Sequence, residues 1–170
     1  MTARSATRPE GFRRVLYRLP LGLYRAGLGG LLGRRFVLIH HVGRKSGRWR
    51  QVVVEAAERD QATGAVTVMS GFGADSDWYR NLLAHPKARI QLGTHSADVR
   101  AVPLTPDEAG EVVYRYAQRH PRAVRGLLRF LGLPVDGSSA AYRAAGRQIP
   151  ALRLEPIRAG WTQTQSNIYR

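Results

Sequence analysis

The chain of 170 residues has no cysteine. Disulfides, thiolate metal sites and a cysteine nucleophile are therefore excluded. Acidic residues are scarce. Twelve Asp and Glu face 27 Lys and Arg, a formal charge of +15. A surplus of that size calls for a polyanionic partner: nucleic acid, an anionic membrane surface or a multiply charged ligand. Lysine is scarce as well, with only Lys45 and Lys87. The positive charge is thus almost all arginine, whose planar donor fork suits phosphate and carboxylate. No apolar run approaches the length that spans a bilayer. Met1–Pro9 is basic but lacks the apolar region and cleavage site of a secretory signal, so the expected location is the cytoplasm. No serine lies in a Gly-x-Ser-x-Gly context, and a P-loop is missing its first glycine. The adjacent His40 and His41 would point to opposite faces of a strand and cannot easily share a metal, so no metal site is expected.

What is present fits a soluble globular domain, with 44% hydrophobic and 23% charged residues. Residues 1–10 read as a flexible arm, 11–157 as a single domain and 158–170 as a mobile tail. Within that domain, 11–33 is an amphipathic helical region. Phe12–Leu32 carries Arg13, Arg14, Arg18 and Arg25 on its polar side. The plain reading is a helix packed on the domain; the second reading is peripheral contact with an anionic membrane. Strands follow at Phe36–Val42, Arg48–Ala57 and Ala65–Ser70. A short helix capped by Asp75 or Ser76 runs through Leu83 and ends at His85-Pro86. Period-two alternation marks strands at Lys87–Leu92 and Ser96–Val102. Thr105-Pro106-Asp107-Glu108 has a cap, a first-turn proline and a capping-box glutamate, and predicts a helix to about Arg119. Helices from Pro121 and from Ser138 or Ser139 come next, then a last strand at Ile149–Leu154. Six short strands interrupted by one helix, with more helices outside, predict an α+β fold built on a small, mainly antiparallel β-barrel.

Two segments have the residue types that hold a ligand. Between Arg34 and Arg50 stand Arg34, Arg35, Arg44, Lys45, Arg48 and Arg50, with no acid. Ser46 adds a hydroxyl, and Gly43 and Gly47 let backbone amides approach an anion. On charge alone, a phosphate or polycarboxylate clamp and a solvated basic hairpin are equally good readings. The second segment is Ser70-Gly71-Phe72-Gly73-Ala74, leading into Trp78-Tyr79-Arg80-Asn81-Leu82. Small residues admit a flat ring system, a helix N-terminus offers amides to its oxygens, and Trp78 and Tyr79 could wall it. The competing reading is a tight turn before an ordinary core helix.

The ordered set Gly43-Arg44-Lys45-Ser46-Gly47-Arg48-Trp49-Arg50, Ser70-Gly71-Phe72-Gly73-Ala74, Trp78 to Pro86 and Ile149 to Pro156 resembles the deazaflavin-dependent nitroreductase family. The resemblance covers roughly Phe36 to Pro156. It implies a split β-barrel like that of FMN-binding pyridoxamine-phosphate-oxidase relatives, and it implies coenzyme F420, a deazaflavin with a phosphate and a polyglutamate tail. Arg44, Lys45, Ser46 and Arg50 match the family positions that hold phosphate and tail. Ser70, Gly71, Phe72, Gly73 and Ala74 match the loop against the ring, and Trp78, Tyr79 and Asn81 are counted with the coenzyme site. The implied activity is an F420H2-dependent reductase acting on a small-molecule electron acceptor: a nitro compound, quinone or activated alkene. Ser70 is the one candidate catalytic group, as a hydrogen-bond donor to the acceptor; equally it can satisfy loop backbone. The tyrosine-rich segment of the best-known branch has no counterpart in Arg119–Arg147, where Tyr142 stands alone. That leaves the acceptor open. The alternatives are a non-catalytic nucleic-acid binder, disfavoured because no nucleic-acid module is visible, and a split-barrel carrier of FMN or haem. A homodimer is expected by analogy of fold.

Overall fold

Valine, isoleucine and alanine at alternate positions dictate the centre of the molecule. The computed structural model describes residues 35–133 and 135–158, and the backbone of 162–163. Strands β1 (Phe36–Val42), β2 (Trp49–Arg59), β3 (Val66–Met69), β4 (Lys87–Leu92), β5 (His95–Pro103) and β6 (Ala151–Pro156) pair antiparallel in the cyclic order β1-β2-β3-β6-β5-β4. The β4–β5 and β4–β1 pairings close the ring into a six-stranded barrel. A short strand β7 (Thr162–Gln163) pairs with His95 and Ser96 of β5. Helices α1 (Asp77–Ala84), α2 (Pro106–Arg119), α3 (Pro121–Phe130) and α4 (Ser139–Gly146) complete the described structure. The α+β barrel expected from the sequence is the fold observed. The segment 12–32 and most of 158–170 lie outside the described residues. No helix among the described residues is long and apolar enough to cross a membrane.

Alternation sends one face of every strand inward. Val37, Ile39, Val66, Val68, Ala88, Ile90, Leu92, Ala97, Val99, Ala101, Leu152 and Leu154 form the buried interior, with Val52, Val54 and Ala56 against it. Ala88 faces Val99 and Ile90 faces Ala97 across the β4–β5 pair. A large residue opposite a small one lets the layers interlock inside a narrow barrel. Strand β2 runs two residues past its expected end. Its pairing with β3 shifts register between Ala56 and Glu58, and the extra residue, Ala57, is buried among the helices. Such a bulge bends a strand and helps it curl around a barrel.

A second apolar cluster joins Val112, Val113, Tyr116, Val124, Leu128, Tyr142 and Ile149 outside the barrel. Tyr142, isolated in the sequence, is a core residue of this cluster at 4% exposure. The capping box at Thr105 and Glu108 forms in both directions, as expected. Helices α2 and α4 cross with glycine against glycine. A β-carbon at Gly146 would stand 2.7 Å from Gly110 Cα and 2.8 Å from Val113 Cβ. Arg143 to Glu111 and Arg147 to Asp107 pair across the same crossing. We expect Gly146→Ala to lower stability by about 1–3 kcal/mol, the usual cost of overpacking a well-filled contact. Denaturant titration measures it, and a midpoint unchanged from wild type would contradict this account of the crossing.

Candidate coenzyme site

Both candidate ligand-binding segments of the sequence reach the same end of the barrel. The turn from Gly43 to Arg48 links β1 to β2. The loop Ser70–Ser76 leaves β3, and its Ser70 amide donates to the Pro150 carbonyl at 2.7 Å, just before β6. Helix α1 then sinks Tyr79 and Leu82 into the barrel interior, with Trp78 beside them. Asp77 and Asn81 are four residues apart and so share a helix face. That face meets the turn.

The turn is closed by its own backbone. Gly43 N–H donates to the Arg48 carbonyl at 2.8 Å, and Gly47 N–H to the Gly43 carbonyl at 2.8 Å. Gly47 has φ +63, a left-handed conformation that side chains resist. Lys45 to Arg50 are all exposed, and among the described residues no carboxylate pairs with Lys45, Arg48 or Arg50. Arg44 differs. Its backbone N–H and its Nη1 both donate to Asn81 Oδ1, at 3.0 and 2.9 Å. Nη1 also reaches Asp77 Oδ1 at 3.0 Å. Arg44 is thus a tie between turn and helix.

Asn81 is 5% exposed, and its Nδ2 faces Nδ1 of His41 at 3.3 Å. His41 is 2% exposed, on the inward face of β1 opposite Arg50. Burial lowers its pKa to about 4, with the Val42 backbone partly opposing and the charges of His40 and Arg50 adding to the depression. Sequence reasoning tested this histidine only as a metal ligand. Its inward position could have been read from the alternation of β1, but its partner could not.

The second segment folds around Ser70, which is 2% exposed. Its hydroxyl donates to the Gly73 carbonyl at 2.7 Å and lies 2.9 Å from Ser76 Oγ. The single hydroxyl proton is committed to the loop, which supports the backbone-satisfying reading over donation to an acceptor. Ser76 is the N-cap residue of α1, but its side chain makes no cap bond; its hydroxyl is drawn to Ser70 instead. Phe72 packs edge-on against Phe130 of α3, with centroids 6.1 Å apart. Leu127 Cδ1 would lie 3.5 Å from a β-carbon on Gly71. Helix α3 therefore leans over the loop. Tyr79 is packed into the barrel at 9% exposure, edge-on to Trp78 at 6.0 Å. It is a foundation under the site and not an open wall, because the apolar face of α1 has nowhere else to go.

A separate polar cleft lies between β2, β3, β6 and α2, lined by Glu58, Thr67, Arg115, Arg119, Arg153 and Glu155 among others. Three of its arginines are spent on carboxylates: Arg115 and Arg119 on Glu58, Arg153 on Glu108. Glu58, Asp60 and Glu155 line it as well, so it has carboxylates where the turn has none. Among the described residues no three His, Asp or Glu side chains gather as a metal would need.

Known proteins share this fold. A solved F420-H2 dependent reductase matches with 24% identity and a TM-score of 0.51, over 72% of this chain and 96% of its own. A protein solved as a domain-swapped dimer matches with 23% identity and a TM-score of 0.50, over 84% of this chain and 92% of its own. A pyridoxamine 5'-phosphate oxidase-related, FMN-binding protein from Nostoc punctiforme matches with 16% identity and a TM-score of 0.51, over 89% and 83%. At these identities the likeness shows the fold. The family model for F420H(2)-dependent quinone reductases matches residues 19–125, a span that holds the basic turn, the Ser70 loop and α1. The chain is therefore an F420-dependent oxidoreductase and belongs to the F420H(2)-dependent quinone reductase family.

Proposed function

We propose that this enzyme reduces a quinone or a similar flat acceptor, and that the Gly43–Arg50 turn holds the phosphate and polyglutamate tail of its coenzyme. The carrying observation is the turn itself. Lys45, Arg48 and Arg50 are exposed, close in sequence and without a carboxylate partner among the described residues, beside a loop of small residues at the same barrel end. That donor set fits a polyanionic deazaflavin. When bound, reduced F420 supplies a hydride equivalent.

The chain's own residues bind, orient and exclude water. Lys45, Ser46, Arg48 and Arg50 present charge and donors to phosphate and carboxylates. Arg44, tied to Asp77 and Asn81, sets the angle of that turn against α1. Gly71, Gly73 and Ala74 leave room for a ring to lie against backbone. Ser70 keeps the loop shape by bonding Gly73 and Ser76. On the far side of the loop, Leu127, Phe72 and the half-exposed Phe130 form an apolar wall. An apolar wall suits a quinone ring and keeps water off the reacting face.

The direct test follows oxidation of reduced F420 by a panel of quinones, nitroaromatics and activated alkenes. Quinones are expected to give the highest kcat/KM. Coenzyme stripped of its glutamates should bind at least tenfold more weakly, since each lost charge-assisted contact is worth about 1.5 kcal/mol or more. Equal binding of stripped and intact coenzyme would remove the tail from the turn. The domain-swapped dimer among the similar structures supports a paired state for this chain also, which light scattering of the purified protein would decide.

A further inference from the structure

We infer that His41 is a positioning residue for coenzyme binding: as an acceptor at Nδ1 it fixes the amide of Asn81, which in turn fixes Arg44 and the Gly43–Arg50 turn. The inference rests on the reading of that turn as the coenzyme clamp.

The side-chain hydrogen bonds of Asn81 leave one self-consistent assignment. Asn81 Oδ1 already accepts two donors from Arg44, its backbone N–H and Nη1. Rotating the amide would put an NH2 group against both donors, so the oxygen must face Arg44 and the nitrogen must face His41. Nδ2 has only hydrogens to offer. The imidazole atom 3.3 Å away must therefore be a bare nitrogen. His41 is then the neutral tautomer with its proton on Nε2. Both side chains are at least 95% buried, so water does not readily substitute for a missing partner.

The consequence reaches the surface through Arg44. The other hydrogen bonds of the turn described above run within the turn. Arg44 joins it to α1, and α1 carries Ser76 and the end of the Ser70 loop. The relay His41–Asn81–Arg44 thus sets two halves of one site against each other: the basic turn and the small-residue loop. His41 stands opposite Arg50 on the neighbouring strand, but its side-chain hydrogen bond runs to Asn81. Its effect passes through Asn81.

The test uses the full chain and two variants. In His41→Asn the side-chain Oδ1 stands the same number of bonds from the backbone as imidazole Nδ1, so the acceptor is retained. In His41→Leu it is lost. We expect His41→Leu to raise the F420 dissociation constant by about tenfold, as one buried N–H left unpaired would. At saturating coenzyme the loss in kcat should be smaller than the loss in affinity. His41→Asn should recover to within about threefold of wild type on the same grounds. Independently of turnover, long-range nitrogen–proton NMR of the coenzyme-free protein should show a bare Nδ1 and a protonated Nε2 for His41 at neutral pH. That spectrum decides the matter even if His41→Leu does not fold. A protonated Nδ1 overturns the inference. So does a His41→Leu protein that melts earlier but binds coenzyme as wild type does, or an Asn variant that binds as poorly as Leu. If neutralising Lys45 and Arg50 also leaves binding unchanged, the turn is not the clamp and the parent reading fails. If that double variant loses binding while His41→Leu does not, only the relay fails.

Discussion

Replacing Lys45 and Arg50 together by alanine should weaken F420 binding by a hundredfold or more. Each side chain offers charge-assisted donors to phosphate or carboxylate, worth about 1.5–3 kcal/mol apiece. Two such losses make at least about 3 kcal/mol, and 1.4 kcal/mol is a factor of ten. The exposed pair makes no ion pair within the described protein, so its removal leaves no stranded carboxylate and should cost little stability. Three readouts separate this from a general loss of charge. The wild-type dissociation constant should rise with ionic strength, and the double variant's should rise less steeply. Coenzyme without its glutamates should discriminate far less between the two proteins, because tail and cations then no longer couple. Replacing exposed Arg158, just past β6 at the barrel end opposite the turn, should leave affinity nearly unchanged. A double variant that binds intact coenzyme within threefold of wild type would place the tail elsewhere.

The second large effect is on stability in acid. In the folded protein His41 titrates at about 4 because burial disfavours its charged form; unfolded, it titrates near 6.5. The folded state thus binds the proton less readily than the unfolded state. Above pH 6.5 both are neutral and nothing is lost. As pH falls from 6.5 towards 4 the unfolded chain charges first, and the folded state loses ground by up to the order of 3 kcal/mol. The neighbouring charged groups push the same way: His40, next along the strand on its other face and itself lowered by burial and by Arg89, and Arg50 on the paired strand. Below pH 4 a charged His41 also confronts the Asn81 amide with a donor, which breaks the relay. Chemical denaturation at pH 7.5, 6, 5 and 4.5 reads the slope, and His41→Asn, which cannot titrate, should be flatter by most of that amount. Identical slopes in the two proteins would show that His41 does not govern the acid limb.

Some parts of this molecule were open to inspection in the linear chain because their causes are local. The Thr105–Glu108 box depends on four consecutive residues and forms as expected. Strands β4 and β5 announce themselves by alternation, and β4 runs over the expected residues, Lys87–Leu92. The barrel followed from the order of short strands. Ser76 shows where locality ends. It sits at the N-cap position, yet its hydroxyl turns to Ser70, a partner six residues back across a loop. Tyr79 shows it again: beside Trp78 and glycines it could wall a ligand, but the face of α1 it shares with Leu82 is the one that fills the barrel.

For the basic turn at Gly43–Arg50 the division is similar. Its composition by itself, six cations with no acid between Arg34 and Arg50, left a polyanion clamp and a solvated basic hairpin equally good. Only together with the spacing to Ser70 and Trp78 did it point to the family. Only the tertiary structure decided which cations face outward and which is a tie. Arg44, Lys45 and Arg50 are alike in sequence, but Arg44 meets Asp77 and Asn81 because the barrel closes with α1 at that end. The importance of His41 is invisible in the chain for the same reason. Its acceptor role exists only because Asn81, forty residues on, is oriented by Arg44, and a hydrogen-bond direction set by a third residue is a property of the fold.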